Sequence, residues 1–198
     1  MSSLGIGDNT RVVAYDDTGG ITAGRLWWML DVLGREVAVL DGGLTAWEGP
    51  LSTEVAVPDP AAFSAKPWPS DRIMTKAELR DALGSELVIL DARAESRYAH
   101  GGEVDPRPGH VPGARSAPAT DNLVDGRLAP QAVIAERYAS LGVTGGPAVA
   151  YCGSGVSACM DLLAMRRAGL PDARLFVGSW SSWGADELLP IEEGLDRG

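Results

Sequence analysis

A cysteine in a glycine-rich loop is the residue of this sequence best suited to chemistry. Cys152 follows the apolar run Ala148–Tyr151 and precedes a loop of small residues that leads into a predicted helix, Ala158–Ala168. Glycines let successive backbone N–H groups turn towards the sulfur, and a helix N-terminus adds partial positive charge. Both effects favour the thiolate, which is the nucleophilic form of cysteine. We expect Cys152 to be a nucleophile whose negative sulfur is stabilised by backbone N–H groups of Gly153–Ser157.

The elements that position this cysteine form an alternating pattern of strands and helices. Leu87–Leu90 is a short apolar run typical of a buried strand of a parallel sheet. A T-x-x-E capping box opens a predicted helix over Thr75–Leu83, and Pro130–Leu141 has apolar residues at helical spacing. This alternation predicts an α/β fold with a parallel sheet and helices on both faces. Sites in such sheets lie at the carboxyl ends of strands, where Asp91 and Cys152 both fall.

An internal repeat relates the start of the chain to the cysteine loop. Residues 11–47 align with residues 147–183 without a gap, at a constant offset of 136 (151 − 15, 178 − 42 and 183 − 47). The residue that matches Cys152 is Asp16, which has no thiol. The first copy is therefore expected to be inactive.

The first copy also lacks a front half, because the counterpart of Asp91 would fall before residue 1. We therefore expect a truncated inactive domain over residues 1–48, a proline-rich linker over residues 49–70 and a complete catalytic domain over residues 71–198. A half-domain should expose apolar surface unless something covers it. We predict that it packs on residues 71–198 or on a second chain, as in a homo-oligomer. The apolar residues concerned are Leu26, Trp27, Leu30 and Leu33.

Four motifs resemble those of the rhodanese-type sulfurtransferases. Cys152–Ala158 is similar to the active-site loop of the family, particularly in its mercaptopyruvate sulfurtransferases, and Asp91–Arg93 is similar to a strand-end motif. Gly109–Ala114 resembles the GHIPGA turn and Leu175–Trp183 resembles the LYxGSWxxW segment. The resemblance implies a rhodanese-like parallel sheet flanked by helices, with one complete domain plus the C-terminal half of an inactive copy.

The same resemblance implies an enzyme that transfers a sulfane sulfur in two steps. The thiolate of Cys152 takes sulfur from a small donor, 3-mercaptopyruvate or thiosulfate, and becomes a persulfide. A thiol acceptor such as thioredoxin, or cyanide, then removes that sulfur. The loop around the sulfur carries no charged side chain, which favours a monoanionic donor such as 3-mercaptopyruvate. The loop residues expected to bind the donor are Gly153, Gly155, Val156 and Ser157.

The resemblance also assigns roles to charged and polar residues outside the glycines of the loop. Arg97 and Arg107 correspond to arginines that bind the donor carboxylate, and a guanidinium fork suits that group. Ser154 corresponds to a hydroxyl implicated in donor activation together with an Asp and a His of the first domain. Because those partners belong to the missing segment, we expect persulfide transfer to be retained better than cleavage of mercaptopyruvate.

The remaining candidates are expected to support the site rather than react. Asp91 and Arg93 should form an ion pair that holds the loops, and His110 should shape its turn rather than transfer protons. Cys159 is expected to be a buried helix residue rather than a resolving thiol. The tryptophans expected to pack at a loop corner are Trp47, Trp180 and Trp183.

Composition and spacing argue against several other classes of function. The net charge is −10, which disfavours binding to nucleic acid or to an anionic membrane surface. Two cysteines and two histidines show no metal-ligand spacing, so we expect neither a metal nor a cofactor. Tyrosine-phosphatase-like loops need an arginine where this chain has Ala158. No signal peptide is visible, and the scarcity of cysteines predicts a cytoplasmic protein.

A non-enzymatic function remains as an alternative hypothesis to the sulfurtransferase. In that alternative the chain is a catalytically impaired rhodanese module that acts as a sulfur carrier or as a protein-binding domain. Loading of sulfur onto Cys152 by either donor would favour chemistry, and no loading would favour the binding module.

Overall fold

A computed structural model describes residues 1–195 of the chain. Within this range the strands and helices follow each other in the alternating order expected of an α/β fold. The strands are β1 (Val12–Ala14), β2 (Val37–Val39), β3 (Val88–Asp91), β4 (Ala114–Ser116), β5 (Leu123–Val124), β6 (Arg127–Leu128), β7 (Ala148–Tyr151) and β8 (Arg174–Leu175). The helices are α1 (Ala23–Asp31), α2 (Lys76–Asp81), α3 (Glu95–His100), α4 (Gln131–Ser140), α5 (Ala158–Arg167) and α6 (Ser179–Trp183).

The central sheet consists of four parallel strands in the order β4-β3-β7-β8. All four residues of β7 are buried, and their side chains alternate between two hydrophobic clusters. Ala148 and Ala150 face the cluster that includes residues of α1, α4 and α5, whereas Val149 and Tyr151 face the cluster formed with α2, α3 and α6. Apolar residues on both sides explain why the strand is continuously hydrophobic, and the predicted α/β fold with a parallel sheet is confirmed.

The N-terminal segment packs on the second copy through the helix pair α1 and α5. Trp27 and Leu30 are buried, and the helices approach so closely that a Cβ on Gly24 would lie 3.3 Å from the backbone nitrogen of Met160. At the far end of the pair, Arg166 forms an ion pair with Asp31, with Nη1 2.9 Å from Oδ1. The prediction that residues 1–48 pack on the following domain is confirmed for this face.

The opposite face of the N-terminal segment is open. β1 and β2 form a separate two-stranded parallel sheet, and the outer edge of β1 carries no partner strand within residues 1–195. Val13 and Tyr15 are 60% and 61% exposed, and Trp47 is 49% exposed. These residues line a groove of about 460 Å³ together with Leu44. The prediction of a packed aromatic was therefore wrong for Trp47, because about half of its surface is exposed and its indole N–H donates only to the nearby carbonyl oxygen of Pro50.

Several predicted elements differ from the observed ones at their ends. The capping box is present, with Thr75 accepting a hydrogen bond from the Glu78 N–H and Glu78 accepting one from the Thr75 N–H. The helix it opens ends at Asp81, and the chain turns at Gly84, where φ is +75°. The short strand β4, the hairpin β5–β6 and the helical form of residues 179–183 were not predicted.

The proline-rich stretch over residues 49–70 forms no helix or strand, as expected for a linker. It nevertheless lies against the N-terminal segment. Trp68 stacks on Trp28 with ring centroids 5.9 Å apart, and the guanidinium of Arg35 lies 5.1 Å from the Phe63 ring centre. The helices of the described part of the chain are all too short or too polar to cross a membrane.

Candidate active site

Cys152 lies directly after β7, one of the two central strands of the four-stranded sheet, and forms the base of its loop. The N–H of Gly155 donates a hydrogen bond to Sγ of Cys152 at 3.1 Å. The cysteine is 2% exposed, while the neighbouring Ser154 is exposed. A donor must therefore approach the sulfur from the outer side of the loop.

The loop can close over the sulfur only because residue 155 is a glycine. Its φ is +78°, a left-handed conformation that glycine adopts without penalty. A Cβ at this position would lie 2.7 Å from the carbonyl oxygen of Val177. Any larger residue at position 155 would displace the N–H that contacts the sulfur.

The first copy shows what such a loop can bind. The carboxylate of Asp16, the counterpart of Cys152, accepts four backbone hydrogen bonds at 2.7 to 2.9 Å. Burial by itself would raise the pKa of Asp16, but these N–H groups outweigh it and hold the pKa below its ordinary value. The donors are the N–H groups of Thr18, Gly20, Thr22 and Ala23.

In the second copy several backbone N–H groups of the equivalent loop donate no hydrogen bond within residues 1–195. The N–H groups of Ser154 and Val156, which correspond to those of Thr18 and Gly20, find no acceptor within residues 1–195. The same holds for the N–H groups of Gly153 and Ser157. We expected several backbone N–H groups to contact the sulfur, but within residues 1–195 only the N–H of Gly155 does so. The other loop N–H groups are available to an incoming anion.

A buried ionic network runs from the sheet to the cysteine loop. Arg93 makes a two-pronged contact with Asp91, and its guanidinium lies 4.7 Å from the ring centre of Trp180. Nη1 of Arg93 lies 3.5 Å from Asp105, which in turn accepts two hydrogen bonds from Arg97, at 3.0 and 2.6 Å. The predicted pair of Asp91 and Arg93 is therefore present as part of a longer chain of alternating charges.

This network places Arg97 beside the loop. Its guanidinium nitrogens lie 3.1 and 3.7 Å from the position that a Cβ on Gly153 would occupy. Burial tends to raise the pKa of Asp105, but the hydrogen bonds of Arg97 and the charge of Arg93 keep the pKa of that carboxyl below its ordinary value. Asp105 is therefore ionised and orients Arg97, whose Nη1 donates no hydrogen bond within residues 1–195.

Arg107 is held differently from Arg97. Its Nη2 donates hydrogen bonds to the backbone carbonyls of Asp186 at 2.9 Å and of Leu189 at 2.8 Å. Its own carbonyl accepts a hydrogen bond from the indole N–H of Trp180 at 3.1 Å. The side chain of Arg107 thus anchors the segment after α6, a role that the sequence did not reveal.

His110 lies in a buried turn away from solvent. Its ring stacks on Tyr98 with centroids 3.7 Å apart, and Nδ1 is 3.0 Å from the carbonyl oxygen of Tyr98. Burial lowers the pKa of His110, so the ring is neutral at physiological pH. Its backbone exchanges two hydrogen bonds with Glu192. These contacts give His110 a place in the turn and none at the sulfur.

The second cysteine and the loop serine occupy contrasting environments. Cys159 is fully buried, and burial raises the pKa of its thiol to about 12, so it stays protonated. Its S–H points to the carbonyl oxygen of Gly155 at 3.4 Å, and neither cysteine forms a disulfide. The hydroxyl of Ser154 is exposed and makes no hydrogen bond within residues 1–195.

Sequence reasoning missed three residues that shape the site. Asp105 was missed because a buried acid between two arginines gives no local sequence signal. Ser179 has a left-handed φ of +50°, and its Oγ accepts a hydrogen bond from the N–H of Cys152 at 3.1 Å. Arg25 reaches the loop from α1, a contact that only the tertiary fold creates.

Comparison with known proteins agrees with this arrangement. A family model described as a rhodanese-like domain matches residues 2–50 and 75–186. The chain belongs to the rhodanese family. Its loop cysteine, strand-end Asp91 and buried turn at His110 are thus parts of a rhodanese domain.

Similar relatives of this rhodanese chain include proteins named as sulfurtransferases. It is 42% identical over 207 residues to a probable 3-mercaptopyruvate sulfurtransferase of Pseudomonas aeruginosa, and this match spans 98% of the chain and 72% of the relative. It is 35% identical to the 3-mercaptopyruvate sulfurtransferase of Escherichia coli K12, over 97% of the chain and 71% of the relative.

Solved structures give the same result for the fold. The crystal structure of the 3-mercaptopyruvate sulfurtransferase SseA from Escherichia coli superposes with a TM-score of 0.80 at 30% identity. That match covers 90% of the rhodanese chain and 70% of SseA. A complex of EanB with ergothioneine matches with a TM-score of 0.88 at 22% identity, a likeness of fold alone.

Proposed function

We propose that the chain is a sulfurtransferase that moves a sulfane sulfur from 3-mercaptopyruvate or thiosulfate through a persulfide on Cys152 to an acceptor. The observation that carries this proposal is the hydrogen bond from the Gly155 N–H to Sγ of Cys152 in a chain 42% identical to a probable 3-mercaptopyruvate sulfurtransferase. The donor N–H favours a negatively charged sulfur, whether thiolate or persulfide.

The loading step balances with 3-mercaptopyruvate as the donor. The thiolate of Cys152 attacks the donor sulfur, a sulfur–sulfur bond forms and the carbon–sulfur bond breaks. The electron pair of that bond passes to the methylene carbon as the enolate of pyruvate, which takes a proton from solvent. With thiosulfate, the sulfur–sulfur bond of the donor breaks instead and sulfite leaves with the electron pair.

Arg97 is proposed to bind the donor carboxylate. Asp105 binds Nε and Nη2 of its guanidinium, which lies beside Gly153 of the cysteine loop, and Nη1 is left to donate to a ligand. The open N–H groups of Ser154 and Val156 provide further donors beside the sulfur. Arg107 is proposed as a second carboxylate ligand through its Nη1, which donates no hydrogen bond within residues 1–195.

The unloading step needs an acceptor with a free nucleophile. A thiolate or cyanide attacks the outer sulfur of the persulfide, forms a bond to it and releases the Cys152 thiolate with the electron pair. A protein dithiol such as thioredoxin is the proposed protein acceptor: its second thiolate would attack the inner sulfur of its own persulfide, form a disulfide and release the outer sulfur as sulfide with the electron pair. Cys159 is not proposed as a resolving thiol, because its buried S–H stays protonated.

A second function, that of a sulfur carrier or binding module with impaired donor cleavage, is favoured by one observation. The hydroxyl of Ser154 has no acid–base partner within residues 1–195. Protonation of the pyruvate enolate would then depend on solvent, whereas a donor that is already a persulfide requires no protonation of carbon.

The partner proposed for the open face of β1 is a second copy of the chain. In the complete repeat, β7 pairs with β3 along the equivalent edge, and Val149 and Tyr151 are buried. Their counterparts Val13 and Tyr15 are exposed. The hydrogen bonds of β1 to β2 use residues 12 and 14, so the N–H and C=O of Val13 point to the open edge.

A two-fold axis at Val13 would pair two β1 strands antiparallel, with Val13 opposite itself. Each copy would then satisfy the open edge of the other and cover Tyr15. In such an assembly the partner's β1 would extend the sheet of residues 1–48, which are followed by the proposed linker of residues 49–70 and the proposed catalytic domain of residues 71–198. Its two unpaired cysteines fit a reducing, cytoplasmic setting.

The experiment that tests the proposed function is to incubate the protein with each donor and to weigh it. We expect a mass gain of one sulfur atom that disappears on addition of cyanide. Loading by a persulfide donor alone would favour the carrier function, and no gain with any donor would leave only a binding module.

A further inference from the structure

The side chain of Arg25 connects the inactive copy to the catalytic loop. Arg25 lies on α1, and its Nη1 donates a hydrogen bond to the carbonyl oxygen of Gly155 at 3.1 Å. Gly155 is also the residue whose N–H contacts the sulfur of Cys152. One residue of the loop is thus held from both sides, by the nucleophile and by an arginine 130 positions earlier in the chain.

The packing of α1 on α5 fixes where this arginine can reach. Gly24 allows the backbone of α1 to come within van der Waals distance of Met160 on the first turn of α5. The guanidinium of Arg25 then lies 5.4 Å from the ring centre of Trp28, which limits the rotamers of the side chain. The position of Arg25 follows from the helix pair rather than from the loop itself.

The contact determines the orientation of the next amide. A trans peptide places its N–H opposite its carbonyl. When the Gly155 carbonyl points to Arg25, the N–H of Val156 therefore points to the other side of the loop. Its counterpart in the inactive copy, the N–H of Gly20, donates to Oδ1 of Asp16 at 2.7 Å. The Val156 N–H thus corresponds to a donor that binds an anion in the first copy.

The thiol of Cys159 supports the same carbonyl without replacing the arginine. Its S–H donates to the Gly155 oxygen at 3.4 Å, and Nη1 of Arg25 lies 3.9 Å from its sulfur. A thiol is a weak donor. The charged guanidinium is the stronger of the two donors that hold this peptide group.

We propose that Arg25 is a positioning residue for sulfur transfer, which holds the peptide group between Gly155 and Val156 so that its N–H faces the persulfide of Cys152. The first, inactive copy then contributes directly to the chemistry of the second through this side chain. The inference rests on the proposed sulfurtransferase function. It goes beyond that function because it predicts that substitution of Arg25, which lies outside the catalytic domain, impairs sulfur transfer.

The test compares Arg25→Met with a matched control, Arg166→Met. Both arginines connect α1 and α5, and each guanidinium lies near a tryptophan ring, Trp28 or Trp27. Arg166 pairs with Asp31 at the end of α5 away from the loop. Loss of interdomain packing should therefore lower the melting temperature of both variants, whereas only Arg25→Met removes a contact to the loop.

We expect Arg25→Met to lower kcat for sulfur transfer by about 10- to 100-fold with KM changed less than about 3-fold, since it disorients one donor to the transferring sulfur. Arg166→Met should keep kcat within about 2-fold of the wild type. Arg25→Lys retains the charge and one donor and should recover part of kcat. Equal kcat values for Arg25→Met and Arg166→Met would overturn the proposal.

Alkylation of Cys152 by iodoacetamide at fixed pH separates this inference from the proposed function, because it needs no sulfur donor. We expect Arg25→Met to react more slowly than Arg166→Met, because Gly155, whose N–H contacts the thiolate sulfur, then loses the contact that holds its carbonyl group. If the wild type takes up no sulfur, the proposed function fails, and the alkylation rates still test Arg25. If Arg25→Met does not fold, Arg25→Lys carries the comparison, and alkylation at the wild-type rate would contradict the proposal.

Discussion

Asp16 and Cys152 occupy equivalent positions in the two copies, and the loops around them are in opposite states. The carboxylate of Asp16 is bound by four backbone N–H groups of its own loop. The sulfur of Cys152 accepts one, and neighbouring loop amides have no acceptor within residues 1–195. A built-in anion thus closes the first loop, whereas the second is open to a sulfur that arrives from outside.

Replacement of Asp16 by alanine should destabilise the chain. Four loop N–H groups would lose their acceptor in a partly exposed site, and we expect a loss of about 1 to 2 kcal/mol in the free energy of unfolding. Urea denaturation monitored by tryptophan fluorescence measures it. A loss as large as this in Asp17→Ala, the exposed neighbour, would contradict the assignment.

The pH dependence of Asp16→Asn offers a second check on the same carboxylate. The pKa of Asp16 is lowered in the folded chain below its ordinary value of 3.8. Its contribution is therefore complete above that value and is lost as pH falls through the folded pKa. The stability difference between wild type and Asp16→Asn should shrink below pH 3.8, and a difference that grows there would contradict this sign.

Replacement of Arg97 by alanine should affect the two donors unequally. Because only 3-mercaptopyruvate carries a carboxylate, its KM should rise about 10-fold or more, with a smaller change for thiosulfate. Steady-state kinetics with cyanide as acceptor measure both. Arg107→Ala serves as comparison, since it should also lower the melting temperature by releasing the carbonyls of Asp186 and Leu189. Equal KM changes for both donors in Arg97→Ala would exclude the carboxylate contact.

The buried Asp161 on α5 should make stability depend on pH near neutrality. Burial raises its pKa to about 7, and the charge of Arg137 and the hydrogen bond from Asn122 offset this only in part. A carboxyl with a raised folded pKa contributes fully below its ordinary value of 3.8, and this contribution is lost as pH rises from there to about 7. Asp161→Asn should therefore gain stability relative to wild type as pH rises from about 4 to about 7, with no further gain above that, as measured by melting temperature. A constant difference across that range would show that Asp161 does not titrate there.

The open edge of β1 predicts a dimer in solution. Light scattering after size exclusion should give twice the mass of the 198-residue chain. Val13→Asp should convert this species to a monomer, because it places a charge on the proposed two-fold axis. Val133→Asp, a half-exposed valine on α4, should leave it unchanged. A monomeric wild type at high concentration would contradict the proposal.

The sequence allowed the core of the fold to be predicted because its signals are local. The continuous apolar run Ala148–Tyr151 gives a strand with the same bounds as observed, and the T-x-x-E box gives the start of α2. Repeat matching aligned residues 11–47, which contain β1, α1 and β2, with the strand, helix and strand around the cysteine loop. The exposure of Val13 and Tyr15 on β1 was missed. The apolar pattern of a strand shows which residues can be buried, but it does not show whether a neighbouring strand is present to bury them.

The site was predictable where a single loop carries the chemistry and not where distant segments meet. Cys152 and Gly155 lie in the same short loop, so the glycine-rich sequence of that loop predicted a contact between the sulfur and a backbone N–H. Arg25 and Asp105 reach the loop through helix packing and through a buried ionic chain, respectively. Neither residue has a spacing relation to Cys152, and only the folded chain brings them to it.

The most direct test of this account is the mass of the protein after incubation with 3-mercaptopyruvate and with thiosulfate, read by intact mass spectrometry and peptide mapping. We predict one added sulfur atom on Cys152 in the wild type and in Cys159→Ser, and none in Cys152→Ser. Absence of added sulfur in the wild type with both donors, or its appearance on Cys159, would contradict it.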